Sequence, residues 1–383
     1  MGGDMTFKLG EFFCGPGGLA YGAINSKSDD GRFRIQHEWA NDYDKDTCDT
    51  YIQNICPENP ESVFYGDVTK LNLDLLKPID AFAFGFPCND FSMVGEQKGT
   101  DGNFGGLYKY GISILNKFQP QWFLAENVGG LSNANEGRAF TEILKAMFNQ
   151  GYDLFPHYYK FENYGIPQTR HRIIIVGIKK ELGLTYRIPS TLPYRQVDIS
   201  SRNALTNPPI PDNVSNNEFT RQSEIVKRRL MHIKPGENAF NSNLPDDLKL
   251  NVKGAKISQI YKRLHPDRPS YTVTGSGGGG THVYHWEEPR ALTNRERARL
   301  QTFEDSYVFS GTKESVRKQI GMAVPAKGAK IIFTAILNTF AGIEYDWEEA
   351  TLPMMIHRKS DQLTDATYLD QFILLEKTPD YLS

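Results

Sequence analysis

The chain has few cysteines, and long apolar runs are missing. Its 383 residues include four cysteines, and none of these forms a C-x-x-C pair. This pattern excludes a disulfide framework, so we expect reduced thiols in a cytoplasmic protein. Apolar runs of the length of a membrane span are absent, and we expect no membrane partner. Internal repeats and low-complexity tracts are also missing.

An overall basic charge is missing as well. The formal net charge is −3, so no global positive field indicates a nucleic-acid partner. The charge is nevertheless uneven along the chain. Residues 218–263 contain ten Lys/Arg against five Asp/Glu, whereas residues 346–383 contain three against eight. The near-neutral total therefore conceals a basic middle segment that could neutralise phosphates.

Short apolar segments alternate with helical patterns over the first 180 residues. We predict strands over 7–13, 34–40, 79–84, 122–125 and 173–178, and helices over 19–24, 43–53, 106–118 and 138–148. This alternation indicates an α/β protein with a mostly parallel, doubly wound sheet. Residues 181–289 are rich in Pro, Asn and Ser and predict a separate, loop-rich module. A helix is predicted to begin at Thr293, which forms a capping box with Glu296. A further helix is predicted to begin at Pro325, with the proline in its first turn.

A glycine-rich turn follows the first predicted strand and opens the first helix. Such a turn lets a ligand approach the backbone at a helix N-terminus. Gly15, Gly17 and Ala20 satisfy the spacing of dinucleotide binders, but S-adenosylmethionine would need the same nearby carboxylate, and the motif leaves both ligands open. The candidate ligand residues are Phe13, Gly15, Gly17, Gly18, Leu19, Asp42 for ribose, Tyr43 for stacking on adenine, Asp67 for its amino group, and Val68.

One thiol has a setting that is typical of a nucleophile. Cys88 follows a buried strand and Pro87, and a polar, glycine-rich stretch follows it. An inert core cysteine is the alternative. Glu126 ends another strand, and Gln168, Arg170 and Arg172 alternate so that they share one face of the chain. Both arginines could equally be plain surface residues.

Taken in order, these blocks resemble the DNA cytosine-5 methyltransferases of bacterial restriction–modification systems. The blocks are FCGPGG at 13–18, NDY at 41–43, GDV at 66–68, GFPC at 85–88, ENV at 126–128, QTRHR at 168–172, RALTNRE at 290–296 and GMAVP at 321–325. Three positions stand out against the family pattern: Asn89 follows the thiol where Gln is usual, Met322 replaces a usual Asn, and Glu11 stands where the family has an acidic residue, often Asp.

The resemblance implies a Rossmann-like, S-adenosylmethionine-dependent fold over residues 1–180 and 290–383, with 181–289 as a target-recognition domain. It implies methyl transfer to C5 of a cytosine flipped out of a short duplex DNA site, with S-adenosylhomocysteine as product. Cys88 would attack C6, Glu126 would bond N3, and Arg170 and Arg172 would hold the O2 or phosphate side. Further cofactor contacts would be Pro87, Asn127, Met322 and Ala323, and DNA contacts would be Ser92, Gln168, Lys227, Arg228, Arg229, Thr272 and Thr274.

Two other functions stay open from the sequence. A tRNA cytosine-5 methyltransferase could use the same fold, and a catalytically silent DNA-binding regulator could keep it. We expect a monomer in the bacterial cytoplasm that could work beside a cognate restriction endonuclease. We expect no metal, although His282 and His285 are spaced H-x-x-H, because no further ligands are spaced to join them.

Overall fold

A computed structural model describes residues 3–86, 106–128, 138–250, 259–275 and 279–357. Pro87, Cys88, Asn89 and Ser92 lie outside the described residues.

A central sheet dominates the described part of the chain. Its strands are β1 (Met5–Phe12), β2 (Phe33–Asp42), β3 (Val63–Tyr65), β4 (Ala81–Gly85), β5 (Trp122–Val128), β6 (Tyr152–Lys160) and β7 (His171–Lys179). The spatial order is β3-β2-β1-β4-β5-β7-β6. The first five strands pair in parallel, and β7 runs antiparallel to both β5 and β6. The predicted α/β class and mostly parallel sheet are confirmed, although β3 and β6 were not predicted.

The helices of the described residues are α1 (Gly18–Ile24), α2 (Lys45–Ile55), α3 (Tyr108–Phe118), α4 (Arg138–Phe148), α5 (Ser201–Thr206), α6 (Glu224–His232), α7 (Asn294–Leu300), α8 (Lys313–Met322) and α9 (Ala326–Ala341). Four of them, α1, α3, α4 and α9, cover the two faces of the sheet. One core layer joins the sheet to α1 and α9, and a second joins it to α3 and α4. Strands buried on both faces read as continuous apolar runs, as Ala81 to Phe84 do.

The helix ends follow from local side-chain chemistry. Asp44 caps α2 by accepting from the Thr47 amide at 2.9 Å. The predicted capping box of Thr293 and Glu296 opens α7. Pro325 is the N-cap of α9 rather than a residue of its first turn, so the prediction was off by one position.

The described residues of the range 181–289, which leave out 251–258 and 276–278, contain little regular structure besides α5 and α6. A small core of their own gathers Leu230, Ile233 and Tyr261, while a neighbouring cluster joins Leu264 and Val273 to α7 and α8. The first residues of this range pack with the larger part instead. A short strand β8 (Ile188–Pro189) pairs with β9 (Trp347–Glu348), and its isoleucine is part of the sheet core. The division at 181 and 289 therefore stays a prediction.

One stretch could cross a membrane by length and composition alone. It covers Lys313–Ala341, with mean hydropathy 1.5. The stretch is not one continuous helix, because α8 ends at Met322 and α9 begins at Ala326. Of its most apolar part, 72% is buried inside the protein. Such burial is typical of the core helix of a folded domain, and no sequence expectation anticipated this match.

The antiparallel end of the sheet supplies a test of the fold. Phe123 and Gly177 face each other across β5 and β7, and a Cβ on Gly177 would come within 2.0 Å of the Phe123 ring. We expect Gly177→Ala to lower the free energy of unfolding by about 1–3 kcal/mol in denaturant titrations, because the overpacked ring has to move. Adding Phe123→Leu should recover part of this loss. An unchanged midpoint for Gly177→Ala would contradict this packing.

Candidate active site

A cavity of about 600 Å³ opens where the carboxyl ends of β1, β2 and β4 meet. Ligands bind at this edge in open α/β sheets. We call it the edge cavity. It is lined by ten of the predicted cofactor residues together with Glu126; the ten are Phe13, Gly15, Gly18, Leu19, Asp42, Tyr43, Asp67, Val68, Met322 and Ala323.

Asp42 shapes the glycine-rich turn from the end of β2. Its two carboxylate oxygens accept hydrogen bonds from the backbone amides of Gly15 at 3.0 Å and Asp44 at 3.1 Å. Burial raises the pKa of Asp42, and these amide donors oppose that rise. Each oxygen keeps a second lone pair, which a ribose hydroxyl could use.

Gly17 does not line the edge cavity, in contrast to its predicted ligand contact. A Cβ there would come within 2.7 Å of the Tyr307 hydroxyl, and the residue has a left-handed φ of +94°. Gly17 is therefore required by packing and turn geometry ahead of α1.

Tyr43 and Asp67 stand at the rim of the edge cavity. The Tyr43 side chain is 71% exposed, so its ring is free to receive a flat ligand. The Asp67 carboxylate accepts from the Thr69 amide at 2.9 Å, and this bond lowers the pKa of Asp67. Met322, at the end of α8, is also exposed to the cavity.

Glu126 and Arg172 form an ion pair where β5 meets β7. The Arg172 Nε lies 2.8 Å from a Glu126 oxygen, and each side chain keeps 14% of its surface accessible. The other carboxylate oxygen would lie 3.1 Å from a Cβ on Gly85, which ends the neighbouring strand. The pair therefore stands beside the segment that leads to Cys88.

Asn127 is buried behind this pair. Its side-chain amide donates to the Phe86 carbonyl at 2.8 Å. It does not line the edge cavity. In place of the predicted cofactor contact, Asn127 therefore fixes the backbone immediately before Pro87.

Arg170 has a different place from the predicted one. Its guanidinium is buried and donates to the carbonyls of Val273 at 3.2 Å and Gly321 at 3.0 Å. Burial also lowers the pKa of Arg170. Because its Nη1 and Nη2 atoms donate to backbone carbonyls inside the protein, Arg170 does not line the edge cavity and does not pair with Glu126 as Arg172 does.

Gln168 is also buried, and the predicted DNA contact is corrected. Its side chain donates to the Leu300 carbonyl and the Gln301 side chain, and accepts from the Val273 amide at 2.8 Å. These bonds use its polar atoms inside the protein, where DNA does not reach.

The basic triplet on α6 has partners within the chain. Lys227 pairs with Glu224 at 2.8 Å and Arg228 with Asp247 at 2.7 Å. Arg229 donates to the Leu248 carbonyl and lies over the Tyr261 ring. These partners reduce the local positive charge, but exposed ion pairs are weak, so the phosphate contacts of the triplet stay a prediction.

The two predicted threonine contacts lie on the segment that joins the smaller module to α7. The Thr272 hydroxyl donates to the Thr169 carbonyl at 2.6 Å, and Thr274 is exposed. Neither lines the edge cavity.

Glu11 is a pocket residue to which no role was predicted. It is 1% exposed at the end of β1 and accepts a hydrogen bond from the Tyr51 hydroxyl at 3.1 Å. His37 and Ser62 continue the hydrogen-bond chain behind Tyr51. The signal in the sequence is a carboxylate near the apolar end of the first strand, where burial of a carboxylate is rare without a function or a partner.

Within the described residues, no group of three His, Cys, Asp or Glu side chains could hold a metal.

The fold and the edge cavity together define an α/β protein whose cavity has carboxylates and an aromatic ring suited to a nucleoside-like ligand, with the carboxylate of an ion pair in its wall. A family model for C-5 cytosine-specific DNA methylase matches residues 7–338, and the chain belongs to this family.

Curated relatives are similar over most of the chain. The Type II methyltransferase M.BbvI of Brevibacillus brevis is 57% identical over 89% of this chain and 93% of its own. The Type II methyltransferase M.NgoFVII of Neisseria gonorrhoeae is 37% identical over 87% of each.

Solved structures share the fold. A putative DNA modification methyltransferase encoded within an E. coli prophage superposes with a TM-score of 0.67 at 25% identity, covering 87% of this chain and 99% of that one. The S. pombe Dnmt2 methyltransferase superposes with a TM-score of 0.56 at 17% identity, covering 88% of this chain and all of that one, which shows the fold alone.

The buried Glu11 carboxyl makes stability depend on pH. Burial raises the pKa of Glu11 from its ordinary 4.5 to about 8. As pH rises through this window the unfolded chain loses the proton first, so stability falls from about pH 4.5 to about pH 8. Glu11→Gln removes this loss and should unfold with a free energy higher by on the order of a few kcal/mol at pH 8.

Denaturant titrations across this pH range measure the effect, with the exposed Glu142→Gln on α4 as the matched control. Wild type, Glu11→Gln and Glu142→Gln all keep Asp42 with its raised pKa. The difference between their curves of unfolding free energy against pH therefore reports the effect of Glu11. Parallel stability curves for wild type and Glu11→Gln would contradict the prediction.

Proposed function

We propose that this protein is a DNA (cytosine-5-)-methyltransferase that acts on a specific short site in duplex DNA. The observation that carries this proposal is the Glu126–Arg172 pair, whose Glu126 lines the edge cavity and lies beside the chain that leads to Cys88. Membership of the C-5 cytosine-specific DNA methylase family supports it.

The residues of the edge cavity fit S-adenosylmethionine. Space is open beside Gly15, where a Cβ would have no neighbour within 4 Å. Asp42 would bind the ribose hydroxyls, Tyr43 would stack on the adenine, and Asp67 would accept from its amino group. When bound, the cofactor supplies an electrophilic methyl group and leaves as S-adenosylhomocysteine.

The chain's own residues would activate the cytosine. The Cys88 thiolate adds to C6, which makes C5 nucleophilic. Glu126 stabilises the adduct by a hydrogen bond to N3, and Arg172 holds Glu126 and reaches toward O2. After transfer, the C5 proton leaves and the bond between Cys88 and C6 breaks. Asn127 fixes the approach to Cys88 through Phe86.

Duplex DNA is the favoured substrate because the matched family is named for it. Residues 181–289 would recognise the target site, and residues 1–180 with 290–383 would carry out transfer. The bacterial Type II relatives support a cytoplasmic enzyme that protects host DNA beside a cognate endonuclease. We propose that it works as a monomer.

Trapping on modified DNA tests the mechanism. Bisulfite sequencing of DNA from cells that express the protein identifies the target cytosine. Duplex DNA with 5-fluorocytosine at that position should then form a covalent complex with the protein that survives denaturing gels. Fluorine cannot leave as a proton does, so the thiol adduct persists. Cys88→Ser should give no complex and lose methyl transfer, while binding S-adenosylmethionine nearly as wild type does.

Wild-type turnover by Cys88→Ser would refute the nucleophile. A wild type that forms no complex with DNA would favour the silent regulator, and methylation of tRNA but not DNA would favour the tRNA enzyme.

Cofactor stacking has its own test. Tyr43→Ala should raise the dissociation constant of S-adenosylmethionine, measured by calorimetry, by roughly tenfold, because stacking on an aromatic ring is worth about 1–3 kcal/mol per base. Tyr65→Ala is the matched control, since Tyr65 is similarly exposed on β3 but does not line the edge cavity. Equal affinities for the two variants would remove Tyr43 from the site.

A further inference from the structure

The outer edge of the central sheet is covered by a segment near the end of the described chain. Strand β6 ends the strand order of the sheet and has β7 on its inner side. Residues 351–357, which follow β9, lie along its outer side, and Met355 pairs there with Leu154 in an antiparallel bridge. We call residues 351–357 the edge strap.

The edge strap satisfies the backbone groups that β6 turns outward. Alternate residues of an edge strand direct their N–H and C=O groups away from the sheet, and in β6 these include Leu154, Pro156 and Tyr158. The Leu154 amide donates to the Met355 carbonyl at 2.8 Å, and the Met355 amide donates back to the Leu154 carbonyl at 3.1 Å. The Tyr158 amide donates to Oγ1 of Thr351 at 2.8 Å. Because proline has no N–H, every outward donor from Leu154 to Tyr158 has its acceptor in the edge strap.

Two polar side chains of β6 hold the ends of the edge strap. Asp153 Oδ1 accepts from the His357 amide at 2.7 Å and lies 2.9 Å from Nδ1 of the same residue. His157 Nδ1 accepts from the Thr351 amide at 3.1 Å. The His357 ring also stacks on Phe148, the last residue of α4, with the ring centroids 3.7 Å apart. Asp153 and His157, which interrupt the apolar pattern of β6, therefore serve to bind this segment.

Apolar side chains of the edge strap complete the core at this edge. Leu352 is 5% exposed and, like Met355, packs in the layer between the sheet and helices α3 and α4. Ile356 packs against the layer that contains α1 and α9. Removing the edge strap would therefore expose apolar surface from both layers together with the outward backbone groups of β6.

We propose that the outer edge of β6 is a strand-pairing surface for β6 of a second copy of this chain, and that the edge strap occupies this surface and keeps the protein monomeric. An open strand edge is a template for pairing with another chain. Two copies of β6 paired antiparallel about Pro156 would bring Leu154 of each copy opposite Tyr158 of the other. Such a contact is two-fold symmetric and closed, so its product is a dimer. The inference is independent of methyl transfer, and failure of either proposal leaves the other standing.

A proline in the edge strap tests the surface. Met355→Pro removes the amide that donates to the Leu154 carbonyl, and its ring disfavours the paired conformation. Met355→Ala is the matched control, since it shortens the same side chain but keeps the amide. Sedimentation equilibrium covers about 1 to about 500 μM, a range in which unpaired strand edges associate. Met355→Pro should change from monomer to dimer as its concentration rises, while wild type and Met355→Ala stay monomeric.

Hydrogen exchange locates the contact. In dilute Met355→Pro the amides of Leu154 and Tyr158 should exchange faster than in wild type by on the order of tenfold, because each loses the protection of one hydrogen bond. The same amides should regain protection as the dimer forms. The amides of Phe155 and Tyr159 face β7 by the same alternation, and their unchanged exchange would show that the sheet is intact.

A second variant is used if Met355→Pro does not fold, as judged by circular dichroism. Asp153→Asn combined with His357→Ala removes the side-chain contacts at one end of the edge strap, and should dimerise in the same way at higher concentrations. A folded variant that stays monomeric over the whole range would overturn the proposal. A dimer without new protection at Leu154 and Tyr158, or a wild type that is itself dimeric, would overturn it as well.

Discussion

Two buried side chains, Gln168 and Arg170, fasten the C-terminal helices to the central sheet. Together they bond the Val273 backbone from both of its polar groups, and Arg170 continues to the Gly321 carbonyl. Gln168 also bonds Gln301, which donates to the Ile320 and Ala323 carbonyls. One wall of the edge cavity, Met322 to Val324, depends on these bonds. Removing either side chain would leave buried polar groups unpaired, which costs more than the bond itself contributes.

The sequence predicts those parts of the fold that depend on residues close to one another along the chain. Burial on both faces makes β4 a continuous apolar run, and the end of β2 places Asp42 and Tyr43 at the edge where such sheets bind ligands. Strand β6 is different, because Asp153 and His157 interrupt its apolar pattern. Their partners are His357 and Thr351, about two hundred positions later in the chain. Periodicity within the strand cannot show that these polar groups are satisfied.

The same distinction between local and distant partners explains which predicted site residues the structure places elsewhere. The partners of Gln168 and Arg170 lie between 103 and 151 positions away, so the sequence shows two polar side chains on one face but not what they meet. Arg172, two residues further, finds Glu126 across one strand pair and stays at the site. Glu11 is a different case, since the sequence shows the carboxyl but only the structure shows that it is buried and that burial raises its pKa.

Charge counts mislead in a related way. The segment 218–263 has an excess of Lys and Arg over Asp and Glu, yet Lys227 and Arg228 form ion pairs with Glu224 and Asp247. A cation is most readily available to a phosphate where it is exposed and where no close carboxylate already pairs with it. A phosphate contact made by Lys227 or Arg228 would release a DNA counter-ion but would first break an ion pair, so its contribution to the salt dependence should be less than complete.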